Sequence, residues 1–342
     1  MNIREAIRAV TTGSDLETQQ MISVMREIMS GQSTDAQNAA FLVGLQMKGV
    51  KTQEILGGAT VMRELATGVK LFDSPNLVDT CGTGGSGSNK FNVSTASAFV
   101  AACAGAKVAK HGNRGATSTS GSADVLEAAG VNLSLSADDV AAAIEQVGIG
   151  FMFAPAHHSA MKHVIAARKE IGVRTVFNLL GPLTNPAGAP NQIIGVFDAA
   201  WIPSMLEVLK ELGSSHVLIV AAEDGLDEIS IAAPSTIGEL RDGKISLYSV
   251  EPTDFGIARY ADYSMLQIDS AEASLAMLKD ALAHKNQAAA DIVALNAGAA
   301  IYAADLVGDL GSGVSMAQEI LKSGQALAKL KELVEFTQSI QA

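Results

Sequence analysis

Between an apolar stretch at residues 77–80 and a helix-forming stretch that starts near Asn92, the chain reads Asp79-Thr80-Cys81-Gly82-Thr83-Gly84-Gly85-Ser86-Gly87. Glycine loses more backbone freedom on ordering than any other residue, so a run this rich in it does not belong inside a helix or a strand. It suits a tight loop whose N–H groups turn toward an anion without Cβ clashes. The positive end of the following helix adds to that field. Strand, loop and helix in succession form the opening unit of an α/β sheet. The spacing is neither that of a Walker A loop, which requires Gly-Lys-Ser/Thr, nor that of the GxGxxG dinucleotide fingerprint. A bare Gly/Ser linker is the competing reading, and the flanking strand and helix weigh against it.

The rest of the chain agrees with that unit. From about residue 75, candidate strands at 77–80, 108–110, 173–177, 193–197 and 217–220 alternate with helices, including one at 93–104 and one running from a Ser136 cap to Gly148. Such alternation predicts a largely parallel sheet. Helices at 271–283 and 288–306 and an edge strand at 244–250 follow. The first seventy residues read as helices only. Residues 16–29 are periodic, and Thr34 with Gln37 forms a capping box opening a helix that stops near Gly49. Thr52 then caps a helix carrying Ile55, Leu56, Ala59, Met62 and Leu65, ended by Gly68.

The expected fold is α/β: a small N-terminal helical domain (1–70), plus a large α/β domain (75–342) with a mainly parallel central sheet. A chain of 342 residues exceeds what most single cores organise. The Met-rich stripe of the helical part reads as core, with a subunit interface as the alternative.

Composition narrows the function. Hydrophobic residues at 48% supply ample core material, and a net charge of −12 argues against nucleic acid as the main partner. No apolar run approaches 18 residues, so no membrane helix is expected. The N-terminus lacks the apolar core of a signal peptide. Cys81 and Cys103 make neither a metal-ligand pattern nor a disulfide framework, which fits two reduced thiols in a cytoplasmic protein.

Three further segments carry chemistry. Lys110-His111-Gly112-Asn113-Arg114 follows a strand and leads into a Ser/Thr-rich run from Ala116 to Ser122, at the strand end where open α/β sheets bind ligands. Glu223-Asp224-Gly225-Leu226-Asp227-Glu228 crowds four carboxylates, which repel unless solvated or holding a cation; their hard oxygens suit Mg²⁺. An acidic surface turn is the plain alternative. A helix carrying His157, His158 and His163 runs to Arg168. Its histidines lack the i, i+4 pairing of a zinc helix. Gly172 to Pro186 then forms a turn punctuated by Gly181-Pro182.

In this order, the loop from Asp79, the Lys110–Arg114 pentad, Gly121-Ser122-Ala123-Asp124, the His157-to-Arg168 segment, residues 174–186 and Asp227-Glu228 resemble the motif set of the anthranilate phosphoribosyltransferase family. The likeness extends to Asn296-Ala297-Gly298-Ala299-Ala300. It implies transfer of the phosphoribosyl group of phosphoribosyl pyrophosphate (PRPP) to anthranilate in tryptophan biosynthesis, with Mg²⁺ as cofactor. It also implies a homodimer and a helical domain completed by a helix within 156–186. The implied PRPP-binding residues are Gly82, Gly85, Ser86, Lys90, Asn92, Val93, Ser94, Thr95, Lys110, His111, Gly112, Asn113, Arg114, Gly115, Ala116, Thr117, Ser118 and Ser122.

Gly82, Asn113 and Arg168 would contact anthranilate, with His111, His158 and the Gly181-Pro182 turn lining its path. Ser94, Asp227 and Glu228 would bind the metal. No general base is indicated. Two positions depart from the family pattern: Ser86 stands where Asp is frequent, and Lys90 where Ser or Thr is usual. The first removes a carboxylate from the loop, and the second puts an ammonium within reach of phosphate. Two other readings are a pyrimidine nucleoside phosphorylase of related fold and a non-catalytic nucleic-acid-binding relative.

Overall fold

The computed structural model describes residues 1–72, 74–115 and 119–340. Seven strands form one sheet: β1 (Leu77–Gly82), β2 (Lys107–Gly112), β3 (Ile149–Phe153), β4 (Asn191–Gly195), β5 (His216–Ala222), β6 (Ser235–Arg241) and β7 (Lys244–Val250). Their spatial order is β3-β2-β1-β4-β5-β6-β7. The first five in chain order are parallel, as the alternating pattern requires. β6 and β7 are antiparallel additions. The two-residue turn between them, Asp242-Gly243, takes φ of 52° and 74°, the left-handed conformation a tight hairpin needs.

The strand order reverses beside β1, with β2 and β3 on one side and β4 and β5 on the other. The carboxyl ends of β1 and β4 therefore border the switch-point crevice.

The helices in chain order begin with α1 (Ile3–Thr11), α2 (Thr18–Met29), α3 (Asp35–Lys48) and α4 (Thr52–Glu64). Next come α5 (Val93–Cys103), α6 (Ser122–Ala128), α7 (Ala137–Gln146), the short α8 (Ala154–His157), α9 (Ile165–Ile171), α10 (Phe177–Leu180) and α11 (Ile202–Glu211); α5, α7, α8 and α11 lie against the sheet, whereas α9 packs on α3 and α10 on α4. The C-terminal layer is α12 (Ala271–Leu282), α13 (Gln287–Ala303), α14 (Leu310–Ser323) and α15 (Gln325–Ser339). Among the described residues no helix is long and apolar enough to cross a membrane.

Two large apolar clusters organise these elements. One places α5 and α12 to α15 against the sheet. Within it α13 meets α14 backbone to backbone: a Cβ on Gly298 would lie 2.5 Å from Val314 N, and one on Gly313 2.3 Å from Gly298 O. That contact explains the small residues of α13. The other cluster joins Met21, Met25, Phe41 and Ile55 of the first helices to Val164, Phe177 and Leu180. It continues into Ile194 of β4, Ile219 of β5 and Met205 of α11.

Local chemistry sets several boundaries. The Thr34–Gln37 capping box forms reciprocally, with Thr34 N donating to Gln37 Oε1 at 2.9 Å and Gln37 N to Thr34 Oγ1 at 3.3 Å. Four expectations need correction. The cap of α4 is Lys51 rather than Thr52, because Glu54 turns back to accept the Lys51 N–H at 2.8 Å; the helix ends at Glu64, before Gly68. The supposed strand at 173–177 is a bend leading into α10. There Asn178 Oδ1 accepts the Thr175 N–H at 3.0 Å, and that local bond outcompetes β-branched propensity. The helix expected to reach Arg168 is α8, a 3₁₀ turn and α9, interrupted at His158 (φ −117°, ψ 57°). Strands β3 and β6 lie outside the expected set.

Candidate active site

A cavity of about 600 Å³ opens at the carboxyl ends of β1 and β2, between the loops that follow them, the 154–184 segment and the Asp227-Glu228 turn. Its floor is the loop after β1, where Gly84, Gly85 and Gly87 take φ of 62°, 81° and 69°. Only glycine adopts three such angles in four residues without strain. Thr83 N donates to Gly195 O at 2.8 Å, anchoring the loop to β4. The Arg174 guanidinium donates to Gly85 O and stacks over Phe197, its carbon 4.2 Å from the ring centre.

Asn92 begins α5 without capping it through its side chain. Its Oδ1 accepts from the hydroxyls of Ser120 (2.9 Å) and Ser274 (2.7 Å), and its Nδ2 donates to Ser120 O at 3.2 Å. It thus holds the loop after β2 against the loop after β1. In that second loop, Asp124 Oδ2 accepts the N–H groups of Gly115 (2.9 Å) and Gly121 (2.8 Å). Arg114 pairs with Glu127 at 2.6 Å and Asp124 at 3.1 Å, on the exposed side. A Cβ at Gly112 would meet Ser122 Oγ, so glycine lets the strand and this loop close together.

At the centre lies a buried charge cluster. The Lys110 ammonium donates to Thr80 O and lies 3.3 Å from Thr80 Oγ1 and 3.4 Å from Ser94 Oγ. Burial pulls it below its usual pKa, with the Asp79 charge opposing. Asp79, itself pushed up by burial, accepts the His111 N–H at 3.1 Å and ties β1 to β2.

Asp227 and Glu228 are both 7% exposed. Lys90 Nζ sits 2.6 Å from Asp227 Oδ1 and 3.7 Å from Glu228 Oε1. Burial opposes ionisation of Asp227, yet the Lys90 charge and hydrogen bond hold it below the usual carboxylate range. Burial, with the Asp227 charge added, pushes Glu228 up to about 7 against the pull of Lys90.

The turn bearing this pair is fixed from two sides. Asn296 on α13 accepts the Ile229 N–H (2.8 Å) and donates to the Ile229 carbonyl (3.0 Å). On β4, a Cβ at Gly195 would come within 1.9 Å of Asp227 O, so only glycine admits the turn.

The other end of the cavity is apolar. Met62, Met161, Ile165, Phe177 and Leu180 line it. Arg168, in the last turn of α9, holds its guanidinium carbon 5.2 Å from the centre of the Phe177 ring. It makes no ion pair among the described residues, and burial lowers its pKa. His111 and His158 face each other with ring centres 5.1 Å apart. Burial first, and neighbouring histidines second, lower them to about 3 and about 4, so both rings are neutral near pH 7. The Nε2 atom of each is buried without a hydrogen-bond partner among the described residues.

The residues implied by the sequence converge closely. Gly82, Gly85, Ser86, Lys90, Asn92, Val93, Ser94, Lys110, His111, Gly112, Asn113, Arg114, Gly115, Ser122, Arg168, Asp227 and Glu228 all line the one cavity. Thr95 does not: it faces inward from α5 with Oγ1 buried and unpaired among the described residues. Ala116, Thr117 and Ser118 lie outside the described residues. Sequence reasoning missed Arg174, Gly195, Asn296 as a clamp, and the apolar wall. Phe177 and Met62 carry no signal separating a cavity wall from core.

Residues 74–327 match the model of the glycosyl transferase family a/b domain, and residues 4–66 that family's helical bundle domain. Fold and site therefore define a glycosyltransferase in which a helical bundle and an α/β sheet share a cleft. The chain is 56% identical to an anthranilate phosphoribosyltransferase of Thioalkalivibrio sulfidiphilus, covering 99% of this chain and 100% of the relative. It is 58% identical to one of Saccharophagus degradans, covering 98% and 99%. The crystal structure of the enzyme from Thermus thermophilus superposes with a TM-score of 0.91 at 41% identity, covering 97% and 99%. That from Saccharomyces cerevisiae, in complex with PRPP and Mg, does so at 0.89 and 26%, covering 99% and 98%. The chain belongs to the anthranilate phosphoribosyltransferase family.

Proposed function

We propose that this chain transfers the phosphoribosyl group of PRPP to the amino group of anthranilate, giving N-(5-phosphoribosyl)anthranilate and pyrophosphate, a step of tryptophan biosynthesis. One observation carries the reading. A single cavity joins a glycine loop, an ammonium and an acidic pair at one end to a guanidinium that is unpaired among the described residues and lies over an aromatic ring at the other. The first end suits a metal-bound pyrophosphate, and the second a flat aromatic carboxylate.

In the reaction the bond from the ribose anomeric carbon to pyrophosphate breaks, and a bond from that carbon to the amine nitrogen forms. The amine is already neutral, so attack needs no prior deprotonation. Its proton leaves after the bond forms, and no side chain is assigned to take it. The glycine-loop amides and Lys110 face the charge growing on the departing pyrophosphate. Ser94, Asp227 and Glu228 offer hard oxygen donors, a set that fits Mg²⁺ held partly by substrate phosphate. Bound there, Mg²⁺ would neutralise leaving-group charge.

Gly82, Gly85, Ser86, Lys90, Asn92, Val93, Ser94, Thr95, Lys110, the 111–118 loop and Ser122 are assigned to PRPP, Thr95 acting only through α5. Gly82, Asn113 and Arg168 are assigned to anthranilate; the guanidinium takes the carboxylate while Phe177 and Met161 hold the ring. Orientation then does much of the catalytic work.

The helical domain is read as 1–70 completed from 156–186, with 75–342 as the α/β domain. A cytoplasmic homodimer is proposed on the family likeness. Loss of anthranilate fluorescence only when PRPP and Mg²⁺ are both present is the expected result. Release of thymine from thymidine and phosphate instead would establish a nucleoside phosphorylase.

A further inference from the structure

Lys90 occupies an unusual position for a side chain that would serve phosphate alone. Its backbone is pinned: it bridges Gln267, the flanking Asn89 carbonyl accepts from Ile268 N at 2.8 Å, and Phe91 N donates to Leu266 O at 3.0 Å. From this fixed base its ammonium reaches Asp227 Oδ1 at 2.6 Å and Glu228 Oε1 at 3.7 Å, with 11% of the side chain exposed. Before substrate arrives, the Lys110 ammonium is held by Thr80 and Ser94 and makes no ion pair with either carboxylate. Among the described residues Lys90 is thus the cation in direct ion-pair contact with both carboxylates, while Lys110 pulls on Glu228 from farther away.

The same two carboxylates are those assigned above to Mg²⁺. A magnesium ion binds carboxylate oxygen at roughly 2.1 Å, and its charge would repel an ammonium hydrogen-bonded to the same group. The two cations therefore compete for Asp227. Free Mg²⁺ would have to displace a buried, charge-assisted hydrogen bond and leave an ammonium without a partner. A metal–pyrophosphate complex brings an anion for the displaced ammonium, which lines the same cavity as the glycine loop.

We propose that Lys90 is an internal counter-ion of the acidic pair, making metal binding conditional on the pyrophosphate that accompanies it. Lys90 then acts as a positioning residue: it holds Asp227 and Glu228 before substrate arrives and passes to pyrophosphate when the metal takes its place. This rests on the assignment of the pair to the metal.

The test is calorimetric titration of Mn²⁺ into the full-length, substrate-free protein, with and without inorganic pyrophosphate. Wild type should bind Mn²⁺ weakly alone and much more tightly with pyrophosphate. K90T and K90M should bind Mn²⁺ alone about 10-fold more tightly than wild type or better, the scale of removing one buried competing charge. K90R should stay at the wild-type affinity. Adding D227N to K90T should abolish the gain, locating the ion at the pair. K90Q, close in length and uncharged, carries the test if K90M fails to fold. Mn²⁺ affinities equal within twofold in wild type, K90T and K90Q would overturn the proposal while leaving the metal assignment standing. Absence of Mn²⁺ binding by wild type even with pyrophosphate would overturn both.

Discussion

At the scale of single residues, the site assigns opposite tasks to neighbouring charges. Arg168 has a ring beneath it and no carboxylate partner among the described residues, the arrangement on which its proposed contact with the anthranilate carboxylate rests. Arg168→Ala should therefore raise KM for anthranilate by about 10- to 150-fold, the loss of one partly buried charged hydrogen bond or pair, with KM for PRPP nearly unchanged. Arg168→Lys should rescue part of that loss, since it keeps charge without the planar fork. If KM for anthranilate stays put while the melting temperature drops, Arg168 only serves the last turn of α9. Asp227→Asn should lower kcat by about 100-fold or more at limiting Mg²⁺. Wild-type Mg²⁺ titration curves from that variant would leave Asp227 as no more than the buried partner of Lys90. Residues like these were legible because their types are chemically unusual where they stand. Gly195 and Asn296 were not, because one acts by lacking a side chain and the other by bonding a backbone distant in sequence.

At the scale of elements, short-range signals read well and long-range ones did not. The helix opened by Thr34 and the one opened by Ser136 start where their capping boxes put them. The edge strand β7 forms with the expected bounds. β3 reads Ile-Gly-Phe-Met-Phe, too short and uniform to show a period, and becomes a strand by pairing with β2. β6 carries Gly238, over which Ile202 and Leu206 of α11 pack, so the glycine that weakens its strand signal is required by that packing. The 173–177 error arose from trusting β-branched residues beside an Asn that bonds the backbone locally. Helix α13 offers a test of how elements aim the acidic turn. Asn296→Leu keeps approximate volume but strands the N–H and C=O of Ile229, which should cost about 2 kcal/mol or more. Denaturant unfolding should show that loss, and activity should require more Mg²⁺ than in wild type. Lowered stability with an unchanged Mg²⁺ requirement would mean that Gly195 and the β5 connection alone position Asp227.

At the scale of the whole molecule, the neutral histidine pair couples stability to pH. His111 and His158 are lowered to about 3 and about 4, while an unfolded chain titrates them near a pKa of about 6.5. Below that value the unfolded state takes up protons that the folded state refuses, so stability falls with pH through this window. Each histidine contributes up to about 1.4 kcal/mol per pH unit, down to about pH 4 for His158 and about 3 for His111. Denaturant unfolding between pH 6 and 4.5 should show a shallower slope in His158→Gln, by one proton. Equal slopes would mean His158 protonates freely in the folded protein.

The apolar cluster that runs from α2 and α3 through Phe177 and Leu180 into β4, β5 and α11 bears on gene recombination. Exchanging only residues 1–70 between two homologous parents would pair Met62 from one with Met161, Phe177 and Leu180 from the other, in one cavity wall. On the proposed domain division the cassette is discontinuous. A chimera that carries 159–183 along with the first seventy residues keeps the wall, and the proposed site for the aromatic substrate, from a single parent.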